Sequence, residues 1–96
     1  MAHYRLTRKA DNDIAALYEY GIVNFGALQA QDYFLGLHDR LNILAQYPTL
    51  GRSAEELAIE LKRFEHGSHV IFYTPELEGI LVIRVLRQEM DFQRHL

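Results

Sequence analysis

Two dense runs of β-branched and aromatic residues, 67–73 and 79–86, dominate the hydrophobic pattern of the chain. The segment between them contains Pro75 and leads into Gly79, which predicts a β-hairpin. Both runs are apolar on both faces, so we expect at least one of them to be a central strand that is covered on at least one side. Arg84 interrupts the second run, and a charge there needs water or a partner. We therefore expect one face of the sheet to be open near its end.

The pattern before this hairpin predicts a strand followed by two helices. Residues 3–7 alternate like a short strand, and apolar residues then fall at helical spacing over 8–25. Thr7 is placed to cap the first helix, and Gly26 to end it. A second helix is predicted over 27–46. The predicted core stripes are Ala10, Ile14, Leu17, Tyr18, Gly21 and Phe25 on the first helix, and Ala30, Tyr33, Phe34, Leu37, Leu41 and Leu44 on the second. The short break between them predicts an antiparallel helical hairpin.

The rest of the chain completes the predicted fold. Residues 49–53 are predicted to form a loop and 61–66 a strand, while 88–96 are too short and mixed to form a stable element alone. The element order is therefore β-α-α-β-β-β, which is an α+β fold with the helical hairpin packed on one face of an antiparallel sheet. With 96 residues, the chain is expected to form a single domain over 1–96.

Composition excludes several classes of function. The chain has no cysteine, which excludes disulfides and thiolate metal sites. Its apolar runs are shorter than the roughly 20 residues of a membrane span, and its first residues are unlike a signal peptide, so we expect a cytoplasmic protein. The formal net charge is −3, which disfavours non-specific binding to nucleic acid. A protein partner is the better expectation.

Candidate catalytic and metal-binding groups are poorly placed. The five histidines do not have a metal-binding spacing, and they are interpreted as surface or turn residues. Ser68 and His69 are neighbours on a predicted strand, so their side chains point to opposite faces and do not form a nucleophilic pair. We expect no catalytic residue, no metal and no cofactor.

Two groups of residues are candidates for protein binding. The first is a cationic set on adjoining strands and the tail: Lys62, Arg63, Arg84, Arg87 and Arg94. These residues either line the open face of the sheet or are solvated edge charges paired with nearby acids. The second is an outer apolar row opposite the core stripes: Ala16, Tyr20 and Val23 on the first helix, and Leu28, Leu35 and Ile43 on the second. This row either forms a binding groove along the hairpin or closes the far side of a larger core.

Several strings of residues together resemble the ParE toxins of the RelE/ParE superfamily. They are 67–73, 83–86, Met90-Asp91 and the terminal 94–96. Residues 47–52, Tyr-Pro-Thr-Leu-Gly-Arg, resemble the Pro-x-x-Gly-Arg joint between helices and sheet in that family. The resemblance covers the whole chain and its order of elements. It implies the toxin of a type II toxin–antitoxin module.

The resemblance also implies a target and a partner. The expected target is DNA gyrase, which is poisoned by protein binding rather than by catalysis. The expected partner is a ParD-like antitoxin, a ribbon-helix-helix protein that binds DNA itself, so that the toxin contacts DNA only indirectly. An amphipathic antitoxin helix and an acidic segment are expected to contact Ala16, Tyr20, Val23, Leu28, Leu35, Lys62, Arg63 and Arg84. The target is expected to contact Arg84, Arg87, Met90 and Arg94, because the C-terminal region is implicated in the toxicity of ParE relatives.

Two alternatives remain. A RelE-like, ribosome-dependent mRNA endonuclease would need several cationic side chains around the scissile phosphate. Lys62 matches one of them, but His69 and Gln88 stand where arginines are expected, and Glu60 where a lysine is expected. A non-toxic interaction domain is the other alternative. The chain also departs from the ParE pattern at Gln88 and Glu89, where the family commonly has a basic string.

Overall fold

The structure, a computed structural model, describes residues 2–96. Five strands and two long helices make up most of this part of the chain. In chain order the elements are β1 (His3–Leu6), α1 (Arg8–Phe25), α2 (Ala27–Gln46), β2 (Arg52–Ser53), β3 (Lys62–His66), β4 (His69–Glu76), β5 (Gly79–Arg87) and α3 (Phe92–His95), with a 3₁₀ turn at Pro48–Leu50. Among these helices, none is long and apolar enough to cross a membrane.

The strands form one sheet in the order β1-β5-β4-β3-β2. The predicted hairpin is β4 and β5, and β4 lies in the middle of the sheet, as expected. Three of the four pairings are antiparallel, whereas β1 lies parallel to β5. The sheet is therefore mixed, because β1 connects to the rest of the sheet through the helices rather than through a tight turn. The α+β class is confirmed. The predicted loop 49–53 was wrong at its end, where β2 pairs with β3.

The two helices have the predicted boundaries. The Thr7 side chain caps α1 by accepting a hydrogen bond of 3.0 Å from the backbone N–H of Ala10. Gly26 lies between the helices with φ of 90°, a conformation that glycine adopts without steric cost. The helices approach closely where Gly21 faces Ala30, since a Cβ on Gly21 would lie 3.1 Å from the Cβ of Ala30. The sequence thus forms the expected helical hairpin.

The main core lies between the helical hairpin and one face of the sheet. Its buried members are Ala10, Ile14, Leu37, Leu41, Leu44, Ala45, Ile71, Tyr73, Ile80, Val82 and Val85. Two residues of the predicted stripes are wrong as core residues: Phe25 is 58% exposed and Phe34 is 38% exposed. Phe25 belongs to the last turn of α1, at the tip of the hairpin, where its ring lies 6.3 Å from that of Tyr20.

A second, smaller core covers the other face of the sheet. It contains Ala54, Leu61, Val70, Phe72 and Leu86, with Leu57, Ile83, Met90 and Phe92 packed against it. The ring of Phe92 in α3 lies edge-on to that of Phe72, with 4.9 Å between their centroids. The expectation of an open face near Arg84 was therefore wrong, because the loop before β3 and the C-terminal tail both fold onto it.

Candidate functional site

A cleft runs along α1 where the helix passes the ends of β4 and β5. It consists of two depressions of about 260 and 230 Å³. Both depressions are lined by Leu17, Tyr20 and His69, so they form one continuous surface. The first adds Asp13, Ala16, Val85, Leu86, Arg87 and Met90, and the second adds Gly21, Phe25, Gln29, Ala30, Tyr33 and Ser68. We refer to this surface as the α1 cleft.

The α1 cleft brings together residues that the sequence assigned to two different partners. Ala16 and Tyr20, which were predicted to bind the antitoxin, are four positions apart and share one face of α1. Arg87 and Met90, which were predicted to bind the target, line the same depression. Tyr20 is 55% exposed, and the Arg87 side chain is 54% exposed. An aromatic ring and a cation thus line the same depression, and both are exposed.

The rest of the predicted apolar row lies elsewhere on the surface. Val23 and Leu28, near the hairpin tip, are 84% and 80% exposed. Leu35 is also exposed, but it lines a separate depression with Tyr18 and Phe34. The row is therefore on the surface rather than in a larger core, and it is divided between different parts of the hairpin.

Lys62 and Arg63 are adjacent on β3 but have different surroundings. Lys62 lines a shallow depression with Ser53, Glu55, Glu60, Leu61 and Pro75. The Arg63 side chain is only 18% exposed, and its guanidinium carbon lies 5.1 Å from the centroid of Phe92 and 5.7 Å from that of Phe72. Arg63 therefore helps to hold α3 against the sheet through cation–π contacts.

Arg84 lies in an internal ion pair, not on an open face. Its Nε donates to Oδ2 of Asp13 at 2.7 Å, and its Nη2 donates to Oδ1 at 2.8 Å. Its Nη1 donates to the backbone carbonyl of His95. Hydrogen bonding to Asp13 raises the pKa of the Arg84 guanidinium above its ordinary value. Among the C-terminal cations, Arg94 is exposed and makes no ion pair with any residue from 2 to 96.

A network that the sequence did not predict forms one wall of the α1 cleft. The Tyr33 hydroxyl lies 2.9 Å from the carbonyl of His66 and 2.8 Å from Nδ1 of His69. Burial lowers the pKa of both histidines and raises that of Tyr33. The interpretation of His69 as a plain surface or turn residue missed this, because the sequence places Tyr33 on a core stripe and gives no sign of the contact across 36 positions.

The described histidines and carboxylates do not make a metal site. No group of three or more such side chains within residues 2–96 is arranged to hold a metal ion.

Comparison with known proteins identifies relatives over nearly the whole chain. The family model for the ParE toxin of the type II toxin–antitoxin system parDE matches residues 4–92. Toxin ParE1 of Caulobacter vibrioides is 35% identical over 96 residues, covering 100% of this chain and 99% of that protein. Toxin ParE1 of Mycobacterium tuberculosis is 30% identical over 96 residues, with 99% and 98% covered. A solved structure described as a chromosomal ParDE TA system from P. aeruginosa matches 93% of this chain and 98% of its own, with a TM-score of 0.76 and 21% identity, which shows the same fold.

Proposed function

This chain belongs to the ParE family of toxins of type II toxin–antitoxin systems, and we propose that it inhibits DNA gyrase by binding and is neutralised by a ParD-like antitoxin. The observation that carries the proposal is the α1 cleft, which joins Ala16 and Tyr20 to Arg87 and Met90. The proposed action is that of a binding protein, without a catalytic step. Since gyrase acts on the chromosome, the proposed place of action is the cytoplasm.

In the proposed complex, an amphipathic helix of the antitoxin packs against the apolar part of the α1 cleft. Aromatic side chains dominate the binding energy of protein interfaces, and Tyr20 is the exposed aromatic residue at the point where the two depressions meet. Val23 and Leu28 extend this contact toward the hairpin tip. Their exposure supports the proposal, because exposed apolar clusters are typical of protein-binding surfaces.

The antitoxin is proposed to wrap around the toxin rather than to contact one groove. Leu35 lies in a different depression from Tyr20, and Lys62 lies at the opposite end of β3 from His66, the residue that pairs with His69. A flexible segment that orders on binding reaches such separated patches, whereas a single rigid helix does not. The DNA-binding half is proposed to be a ribbon-helix-helix domain of the antitoxin, so contact of the toxin with operator DNA is indirect.

The shared cleft supports neutralisation by occlusion. The proposed gyrase-binding surface consists of Arg87, Met90 and Arg94. Arg84 contributes to it indirectly, because its guanidinium donates a hydrogen bond to the backbone carbonyl of His95. An antitoxin helix on Ala16 and Tyr20 would cover Arg87 and Met90 directly. Toxin that is bound to the antitoxin could then not engage gyrase, and no change in the fold of the toxin is required.

The endonuclease alternative has less support from the charges in the cleft. Gln88 donates its backbone N–H to the carbonyl of Ser68, so Gln88 and His69 come together at one end of the sheet. Burial lowers the pKa of His69, which keeps the ring uncharged at neutral pH, and the Gln88 amide has no charge. Uncharged side chains stabilise the negative charge of a phosphoryl transition state far less than arginines do.

Expression of the toxin alone separates these functions. We expect growth arrest with induction of the DNA-damage response while protein synthesis initially continues, and we expect co-expression of the ParD-like antitoxin to restore growth. Cleavage of ribosome-bound mRNA by the purified protein would contradict this proposal and favour the endonuclease. Normal growth with soluble toxin present would favour the non-toxic interaction domain.

A further inference from the structure

The hydrogen bonds of Tyr33 determine which nitrogen of His69 carries the proton. A tyrosine hydroxyl has a single hydrogen to donate, and the backbone carbonyl of His66, at 2.9 Å, accepts hydrogen bonds only. That hydrogen is therefore directed to His66, and the contact of 2.8 Å between the Tyr33 oxygen and Nδ1 of His69 requires the hydrogen to be on Nδ1. In the uncharged ring, Nε2 is then an unprotonated hydrogen-bond acceptor.

The surroundings of His69 favour this uncharged form. Burial is the main influence on its pKa and lowers it, and the neighbouring Arg87 and His66 act in the same direction. Glu89 and Asp13 oppose them, but Asp13 is held by Arg84, and Glu89 lies 3.3 Å from Arg87. Two polar side chains lie within 3.5 Å of Nδ1: Tyr33, which is the acceptor for Nδ1–H, and Ser68, whose Oγ lies 3.4 Å away.

His69 lies where the two depressions of the α1 cleft meet, and its Nε2 is the ring atom that is left free to bind a partner. His69 lines both depressions, and its Nε2 has no hydrogen-bond partner within residues 2–96. Apolar side chains, including Leu17 and Leu86, line the same cleft. A buried acceptor that loses water without gaining a donor costs free energy, so a tight occupant of the cleft has to supply a donor.

We infer that His69 is a specificity-determining acceptor for the antitoxin: the helix that fills the α1 cleft donates a side-chain hydrogen bond, from a hydroxyl or an amide, to Nε2 of His69. The identity of the occupant rests on the proposed function. The acceptor itself also argues against a phosphate group at this position, because phosphate oxygens are acceptors and cannot satisfy Nε2. The apolar lining fits one face of a helix, whose own backbone groups are already paired, so the donor comes from a side chain.

The protonation of His69 is measurable on the toxin alone. Nitrogen-15 NMR of histidine-labelled protein at pH 7 is expected to show His69 with Nδ1 protonated and Nε2 unprotonated. In Tyr33→Phe the ring is expected to lose this preference, since the acceptor for Nδ1–H is gone. A proton on Nε2, or a charged ring at pH 7, would overturn the inference without affecting the proposed function.

Binding of the ParD-like antitoxin encoded beside the toxin tests the second half of the inference. His69→Gln carries a carbonyl oxygen to about the position of Nε2, whereas His69→Asn reaches only about as far as Nδ1. We expect His69→Asn to weaken binding about tenfold, which is the effect of one lost hydrogen bond, and His69→Gln to retain most of the affinity. Circular dichroism and thermal melting establish that both variants are folded.

The outcomes separate the inference from the proposed function. Equal binding by the unaltered toxin and both folded variants would overturn the acceptor role alone. A toxin dimer that His69→Asn disrupts would assign the cleft to a second copy of the chain and would also overturn the inference. Failure of the unaltered toxin to bind the antitoxin would contradict the partner itself, and with it both proposals.

Discussion

Asp13 on α1 and Arg84 on β5 are joined by two parallel hydrogen bonds of 2.7 and 2.8 Å. The same carboxylate accepts a bond of 3.0 Å from the backbone N–H of Val85, which lies beyond the point where β1 ends at Leu6. Beyond the end of β1, the Asp13 side chain therefore supplies the hydrogen-bond acceptor that a longer β1 would supply to the edge of β5. Since Arg84 also holds the carbonyl of His95, this ion pair links the helical hairpin, the sheet and the C-terminal tail.

Removal of this carboxylate should destabilise the fold. Each side chain of the pair is 14% exposed, so Asp13→Ala leaves a poorly solvated cation and an unpaired backbone N–H. We expect a loss of about 3 kcal/mol in the free energy of unfolding, measured by urea denaturation. Arg52→Ala is the matched control, because its ion pair with Glu65 has an arginine side chain that is 67% exposed, and it should cost less than about 1 kcal/mol. Equal costs for the two variants would contradict the structural role of Asp13.

Tyr20→Ala should weaken antitoxin binding without unfolding the toxin. We expect a loss of about 2 kcal/mol in binding free energy, measured by isothermal titration calorimetry, because Tyr20 is an exposed aromatic residue at the centre of the α1 cleft. Tyr47→Ala is the control, since Tyr47 is 59% exposed, like Tyr20 at 55%, and lies outside the cleft. Unchanged affinity together with a large drop in melting temperature would assign Tyr20 to the core instead.

Arg87→Ala should reduce toxicity far more than stability. The ion pair of Arg87 with Glu89 is exposed on both sides, so its loss should change the free energy of unfolding by less than about 1 kcal/mol. Growth after induced expression, with toxin levels checked by immunoblot, gives the readout. Arg52→Ala, whose side chain is also exposed, should remain fully toxic. A fully toxic Arg87→Ala would move the active surface away from the α1 cleft.

Deletion of residues 88–96 is a weaker test than the point substitution. Met90 and Phe92 pack against the second core, and His95 accepts from Arg84. The deletion should therefore lower stability as well as toxicity. This makes Arg87→Ala the variant that distinguishes target binding from folding.

The stability of the toxin should fall as pH decreases below about 6.5. Burial lowers the pKa of His66 and His69 in the folded protein below the ordinary value of about 6.5, so the unfolded chain binds more protons in this range. Stability is therefore highest above pH 6.5 and is lost as pH falls toward the lowered folded values. Urea denaturation at pH 7.5 and 5.5 measures the difference in the free energy of unfolding between the two pH values. This difference should be smaller in the double variant His66→Gln/His69→Gln. If the double variant has the same pH dependence as the unaltered toxin, the lowered pKa values of His66 and His69 are contradicted.

The helices were predictable because their signals are local. The capping side chain of Thr7, the apolar spacing along α1 and α2 and the break at Gly26 all lie within or next to the elements they define. The β4–β5 hairpin was predictable for the same reason. In contrast, β2 has only two residues, which is too few to show any periodicity.

The site was less predictable because it depends on contacts between distant residues. Asp13 and Arg84 are separated by 71 positions, and Tyr33 and His69 by 36. The sequence places Tyr20 opposite the core stripe but leaves open whether it lines a groove or closes a larger core, and the structure shows it exposed. Its position beside Arg87 follows from the packing of α1 on β5, which no pattern along the chain encodes.

Inhibition of purified DNA gyrase is the most direct test of the proposed function. Supercoiling of relaxed plasmid by gyrase is measured with increasing amounts of the toxin, alone and after mixing with the ParD-like antitoxin. We expect the toxin alone to inhibit supercoiling, Arg87→Ala to inhibit it less, and the antitoxin to restore it. Full supercoiling in the presence of excess folded toxin would contradict the assignment of gyrase as the target.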